Sequence, residues 1–439
     1  MRTDLEARLR TRRTEDGYLF PDYGGYCFAG VPGTALSVLD ADDPTVPGPL
    51  PADVLAGVDG EYDRVLVALV DGFGLTFWQR HDHPLLERLE AAGTVSPLTS
   101  IYPSETAAAL TTFHTGRLPV SHGVLGWDVY DPVDDASYEA FTGRVTAGDE
   151  SVDPDLADVF AGDPLYPALT AAGIDCRHVV PFPETYEGAA VHTYGGSDED
   201  GIGDGGDAEG TDATPPSYPL EGFESALAGA FTAADEPAFL YAYLPQIDTA
   251  AHAAGTESDA YRTTVEETLG TLERALSRIA ANTADAAGET LVIVTADHGH
   301  VDTDAARSVD LESFETVLDS LERHATGEPV RYAGSPRNVH LHLRGGTAVR
   351  ETVRSELADA LEARVFTADE VRERSLFGDG EESAVFRRRV GDLVVCHRDQ
   401  SVWYGSDSAK FELIGMHGGL HPDELLVPFA AVDLEAVAD

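Results

Sequence analysis

The chain has 439 residues, 78 of them acidic against 29 basic, for a formal net charge of −49, and 43% are hydrophobic. That charge repels phosphate backbones and anionic lipid, which argues against a nucleic-acid scaffold and against a membrane-surface protein. No run approaches the ~20 apolar residues of a membrane span. Cys27, Cys176 and Cys396 are odd in number and far apart, a pattern that fits neither a disulfide framework nor a cysteine-based zinc ribbon.

The length exceeds the one-core range and predicts a large α/β domain with an inserted subdomain. Residues 1–16 read as a charged helix without the apolar segment of a secretory signal, so the expected location is the cytoplasm. Residues 63–71 are a continuous apolar run ending in Asp-Gly, the signature of a buried parallel strand. A helix is expected over Pro84–Ala92, a strand over Val95–Leu98, and a helix over Thr106–Thr115 just after Pro103-Ser104-Glu105. Residues 165–173 read as a helix and Cys176–Val180 as a strand. The Gly/Asp-rich stretch 195–217 reads as a solvated acidic insertion, without the ligand spacing of a calcium-binding EF-hand.

Helices at 221–233 and 258–282 flank a strand at 239–244, and another strand follows at 291–296. This alternation predicts a parallel sheet with helices on both faces, whose ligands bind beyond the carboxyl ends of the strands. After His298 the pattern changes. Val330–Ala333, Val339–Leu343, Ala384–Arg388 and Leu393–His397 read as short strands, Val349–Ala363 as a helix, and Val427–Val432 as a last strand returning to the core. The expected division is a metal-binding α/β core at 1–304, an inserted α+β cap at 305–405, and a C-terminal return at 406–439.

Asp71, Asp248, His252, Asp297 and His298 all stand where apolar strands run out, and His417 sits among Gly415, Gly418 and Gly419. Three carboxylates and three imidazoles suffice for two divalent cations if they converge. Asp248 and His252 lie one helical turn apart and can reach one ion. Thr106 opens a helix whose free N–H groups favour an anion. Taken singly, each residue has an ordinary reading: Thr106 as an N-cap, Asp297 as a cap beside a satisfied His298, His417 as a loop histidine.

Taken together, the order Asp, Thr, Asp-x-x-x-His, Asp-His, His resembles the alkaline phosphatase superfamily, and most closely the type I phosphodiesterase / nucleotide pyrophosphatase family. The segment YPSETAAALTTFHTGRLPVSHG resembles that family's nucleophile block, and LVDGFG, QIDTAAHAAG, TADHGH and GMHGGLHPDELLVP its metal-binding blocks. The resemblance covers about 60–300 and 410–430. It implies a three-layer α/β/α fold with a mainly parallel central sheet, and a metal-dependent hydrolase of phosphoric esters acting on a small phosphorylated substrate. Asp71, Thr106, Asp297 and His298 would hold one cation, and Asp248, His252 and His417 the other. Thr106 would be the nucleophile. Zinc is the default metal for this donor set, and manganese is also compatible.

One departure is that Thr106–Ala109 lacks the Asn by which nucleotide pyrophosphatases usually stabilise a non-bridging oxygen. Another donor or another substrate is therefore expected. Lys410, the only lysine, and Arg337 are candidate substrate contacts; His122 reads as structural and His300 as a support for the ligands. The C-terminal block also resembles cofactor-independent phosphoglycerate mutases, which use a serine nucleophile. A phosphomonoesterase or phosphotransferase is thus the alternative within the fold, and a non-catalytic receptor for phosphorylated ligands is the alternative outside enzymes. No Cys-x-Pro-x-Arg or Ser-x-Pro-x-Arg lies near Thr106, which counts against a sulfatase. The density of carboxylates resembles proteins of salt-loving archaea, whose KCl-rich cytoplasm screens self-repulsion. Oligomeric state is not legible from the sequence.

Overall fold

In the computed structural model, the described residues are 1–41, 46–58, 60–182, 186–195, 218–282 and 290–438. Apart from Gly195, the acidic stretch 195–217 therefore lies outside them. The architecture is mixed α/β, with a seven-stranded central sheet in the order Thr94–Thr99, Leu426–Asp433, Thr290–Thr295, Arg64–Val70, Ala238–Leu244, Asp175–Val180, Ala190–Thr193. Leu426–Asp433 runs antiparallel to both its neighbours, and every other strand points one way. Arg64–Val70, Ala238–Leu244 and Thr290–Thr295 are apolar at almost every position and buried almost throughout, as parallel strands covered on both faces must be.

The helix Asp259–Asn282 carries Tyr261, Val265, Leu269, Leu272, Leu276 and Ile279 at spacings of three and four, and all six are buried. That stripe packs on Phe223–Ala233 and Gln246–Ala254. Cys27, Cys176 and Cys396 are free thiols in the interior. Among the described residues no helix is long and apolar enough to cross a membrane.

A second seven-stranded sheet runs Ala363–Thr367, Leu393–His397, Asn338–Leu341, Gly334–Ser335, Asp128–Asp131, Ala136–Glu139, Val145–Gly148, with antiparallel pairing throughout. It therefore joins the expected 305–405 cap to strands from residues 128–148. Two expectations in this region are corrected. Ala384–Arg389 is a helix, because the Ser383 side chain accepts the Phe386 N–H at 3.0 Å and starts a helical turn, and Arg387, Arg388 and Arg389 sit at its favourable C-terminal end. Residues 330–333 form no ladder; pairing begins at Gly334.

Five buried histidines make stability pH-dependent. Burial pushes His122, His178 and His342 down to about 3, and His340 and His397 to about 4. In the unfolded chain they protonate near ~6.5. The unfolded state thus takes up protons first as the pH falls, so their contribution is complete above ~6.5 and is lost from there toward 4 and 3. We expect the ring signals of these histidines to stay in the neutral form between pH 7.5 and 5 in the folded protein. Imidazole NMR signals that titrate near ~6.5 in the folded state would show that these rings are not held neutral.

Candidate active site

Strand register sets the site. Val70 pairs with Leu244 and Leu69 with Thr295, so three adjacent strands end level. Asp71 emerges from the first, and Asp297 and His298 from the third. The helix Gln246–Ala254 starts directly after the second and presents Asp248 and His252. Gly72 has φ of +70°, and a Cβ there would lie 2.2 Å from the His300 ring. Glycine is required for His300 to sit where its Nδ1 meets the Gly72 carbonyl at 3.0 Å and its Nε2 meets Asp248 Oδ1 at 2.9 Å.

Thr106 opens the helix Thr106–Thr115, whose N-cap is Glu105. Its hydroxyl does not turn back to cap the helix but lies 3.0 Å from His298 Nε2. Ser104 ties this helix start to the glycine-rich loop. Its hydroxyl donates to the Gly419 carbonyl at 2.9 Å, and its carbonyl lies 3.2 Å from His417 Nδ1. His417 thereby turns its Nε2 toward Asp248 and His252.

Two donor groups result. Around His298 Nε2 stand Thr106 Oγ1 at 3.0 Å, Asp71 Oδ1 at 3.3 Å and Asp297 Oδ2 at 3.5 Å. In the other group, Asp248 Oδ1 lies 3.4 Å from both His252 Nε2 and His417 Nε2, and the two nitrogens are 3.2 Å apart. Four donors placed tetrahedrally at ~2.0 Å from one ion are ~3.3 Å from each other, so both groups have the edge lengths of a cation site. They are adjacent, since the His298 and His417 rings stack with centroids 3.6 Å apart. Donor atoms of Asp248, His298, His300 and His417 all lie within 4.8 Å of one another, as do those of Asp71, Asp297 and His298.

The electrostatics point the same way. Asp71 Oδ1 and Asp297 Oδ2 are buried without a hydrogen-bond partner among the described residues. Burial first, then the charges of neighbouring carboxylates, push both groups well above the usual carboxylate range. Burial works in the same sense on Asp248, but His252, His300 and His417 override it and hold that carboxyl well below its usual value. Burial lowers His252 and His417, keeping them in the neutral form that ligates metal. A buried cluster of three carboxylates is costly alone and stable around a dication.

Asp71, Thr106, Asp248, His252, Asp297, His298 and His417 thus stand together, with His300 beside them. Arg337 does not, and its expected role as a substrate contact is corrected. Its side chain is fully buried, donating to both Glu424 oxygens at 2.9 and 2.8 Å and to the carbonyls of Gln400 and Arg398, so its donors are taken up inside the protein. Lys410 is partly exposed, 3.4 Å from Asp128 and above the Trp127 ring, and its charge acts on Glu105. His122 fixes the loop after the Thr106 helix, accepting the Val124 N–H at 3.1 Å and meeting Thr112 Oγ1 at 3.0 Å.

Two site residues escaped the sequence reading. Glu105 is buried against His417, and burial pushes its carboxyl up to about 7. The Tyr243 hydroxyl donates to Asp71 Oδ2. The signal for Tyr243 was its alternation with Tyr241 on a strand leading to the site; Glu105 had only its place beside Thr106.

A family model described as type I phosphodiesterase / nucleotide pyrophosphatase matches residues 65–420. Among solved structures, murine ectonucleotide pyrophosphatase/phosphodiesterase 5 matches with a TM-score of 0.60 and 18% identity over 84% of this chain and 87% of that one. Its inactive variant in complex with AMP matches with the same values. At that identity the likeness establishes the shared fold.

Proposed function

Because the chain belongs to the type I phosphodiesterase / nucleotide pyrophosphatase family, we propose that it is a two-cation hydrolase of small phosphoric esters with Thr106 as nucleophile. The observation that carries this reading is the Thr106 hydroxyl, which meets His298 Nε2 at 3.0 Å, the same nitrogen that the unpartnered oxygens of Asp71 and Asp297 approach to 3.3 and 3.5 Å. Asp71, Thr106, Asp297 and His298 would hold one cation, and Asp248, His252 and His417 the other. Bound there, two dications would lower the pKa of the hydroxyl and stabilise charge on the leaving oxygen. We take zinc as the resident metal, with manganese able to replace it.

Thr106 Oγ1 attacks phosphorus in line, forming a phospho- or nucleotidyl-threonine as the ester P–O bond breaks. Water then displaces the threonine from the side the leaving group vacated. The first intrahelical bond joins the Ala109 N–H to the Glu105 carbonyl at 2.8 Å, so the N–H groups of Thr106, Ala107 and Ala108 have no acceptor one turn back. In this reading they supply the donors to the non-bridging oxygens that the absent Asn would otherwise give.

The match to a fold recorded with AMP favours a nucleotide-like substrate. We place the protein in the cytoplasm of a salt-rich, haloarchaeal-type cell, on its charge of −49. The division at 1–304, 305–405 and 406–439 is kept, with 128–148 assigned to the second sheet. Lys410 is retained as a substrate contact on that side. Lys410→Met is expected to raise KM several-fold, with kcat within about twofold of wild type, as for a group that binds ground and transition states alike; steady-state kinetics reads this directly.

The test of the reading is hydrolysis of p-nitrophenyl phosphate, bis-p-nitrophenyl phosphate and thymidine p-nitrophenyl phosphate in ~2–3 M KCl with zinc or manganese. Diester turnover supports the proposal. Turnover of the monoester alone moves it to a phosphatase. Silence on all three, in folded and metal-loaded protein, favours a phosphotransferase or a binding protein.

A further inference from the structure

Glu424 grips both cation-binding loops. Its main-chain carbonyl accepts the Gly299 N–H at 2.8 Å, directly after His298. Its side chain accepts the Gly419 N–H at 3.1 Å through Oε1 and the His421 N–H at 3.0 Å through Oε2, just after His417. The glycines in these loops are fitted to it. A Cβ on Gly299 would lie 2.1 Å from the Asp423 carbonyl oxygen, and one on Gly419 would lie 2.9 Å from Glu424 Oε2 and 3.1 Å from Arg337 Nη2.

Glu424 is itself held by the second sheet. Arg337, in the turn between Gly334–Ser335 and Asn338–Leu341, forks onto both of its oxygens, and the two side chains are 0% exposed. The fork fixes the plane of the carboxylate, so each oxygen meets one loop amide. The two further bonds of the guanidinium to the Gln400 and Arg398 carbonyls anchor it beside the Leu393–His397 strand.

We infer that Arg337, acting through Glu424, is a positioning residue that sets the His417 loop against the His298 loop and so fixes the spacing of the two cation sites. This rests on the two-cation reading above. It assigns the second sheet a part in building the site, at a residue that touches neither substrate nor metal. Groups that orient metal ligands from behind typically change affinity by about 10–100-fold when removed.

The test uses full-length protein stripped with chelator and titrated with cobalt(II), reading visible absorption for site geometry and affinity, alongside the melting temperature. Arg337→Met is expected to weaken uptake of one of two cobalt ions by about 10–100-fold and to lower the melting temperature. The double variant Arg337→Met/Glu424→Gln separates positioning from bulk stability, and it carries the test even if the single variant does not fold. It buries no unpaired charge, so its melting temperature should recover. Its amide, however, offers one acceptor oxygen to two loop N–H groups, so cobalt affinity should stay weak. Wild-type cobalt affinity in either folded variant, or affinity that recovers in step with melting temperature, would overturn the inference. A wild type that takes up no cation would overturn the cation reading and this inference with it.

Discussion

Thr106→Ala should reduce turnover by at least about 10⁴-fold, while Thr106→Ser keeps a measurable rate. The expectation follows from where the hydroxyl points. Thr106 is the first residue of its helix, after the N-cap Glu105, so its oxygen is not needed to close the helix and lies instead 3.0 Å from His298 Nε2. Alanine has high helix propensity and fits a segment that continues Ala107-Ala108-Ala109. The variant should therefore fold, melt within a few degrees of wild type and still take up cations. Serine keeps the hydroxyl but loses the methyl that restricts its rotamer, so a partial rate is expected. Diester hydrolysis measured on both variants, with metal content determined in parallel, checks this. An alanine variant with near wild-type turnover would assign nucleophilic attack to water and leave Thr106 a ligand or a helix residue.

The convergence of Asp71, Asp248, His252, Asp297 and His298 was legible because each stands just past the end of an apolar strand. Runs such as Val65–Val70 and Leu291–Thr295, short, rich in β-branched residues and followed by loop residues, read as buried strands, and a carboxylate just after such a run then lies at the sheet's carboxyl edge. His417 needed its glycines, and Thr106 needed the Pro-Ser-Glu ahead of its helix. The second sheet was harder to read, since its strands are two to five residues long and three of the seven come from 128–148, far away in sequence. Short alternating runs do not separate a strand from a capped turn of helix, and at 384–389 the Ser383 cap decided for helix. Arg337 illustrates a deeper limit. In sequence, a lone arginine after Ser-Pro has the appearance of a free cation, and only the fold shows that Glu424, 87 residues later, takes up its charge.

Asp297→Asn should reverse its effect on stability with the state of the site. In chelator the variant is expected to melt above wild type; with cations restored it should melt below. The wild-type carboxylate places Oδ1 on the N–H groups of Gly72 at 3.2 Å and His298 at 3.0 Å, but leaves Oδ2 buried and unpartnered near Asp71. An asparagine keeps the first oxygen's two bonds and turns an amide N–H₂ toward Asp71 Oδ1, replacing a repulsion by a hydrogen bond. Relieving one uncompensated buried charge is worth roughly 1–3 kcal/mol. The sign with pH follows from burial, which, with the charge of Asp71, holds the Asp297 carboxyl well above its usual range. Such a group destabilises the fold increasingly as pH rises past ~3.8 toward the folded value, so the variant's advantage in chelator should widen toward alkaline pH. With metal present, binding to the folded state adds RT ln(1 + [L]/Kd), and wild type gains more because it offers the charged ligand. Melting curves of both proteins with and without chelator, at two pH values, decide the matter. If wild type melts higher in both states, Asp297 stabilises the fold by its own contacts. If the order crosses, the carboxylate is held at a cost to stability, for the sake of the cation it binds.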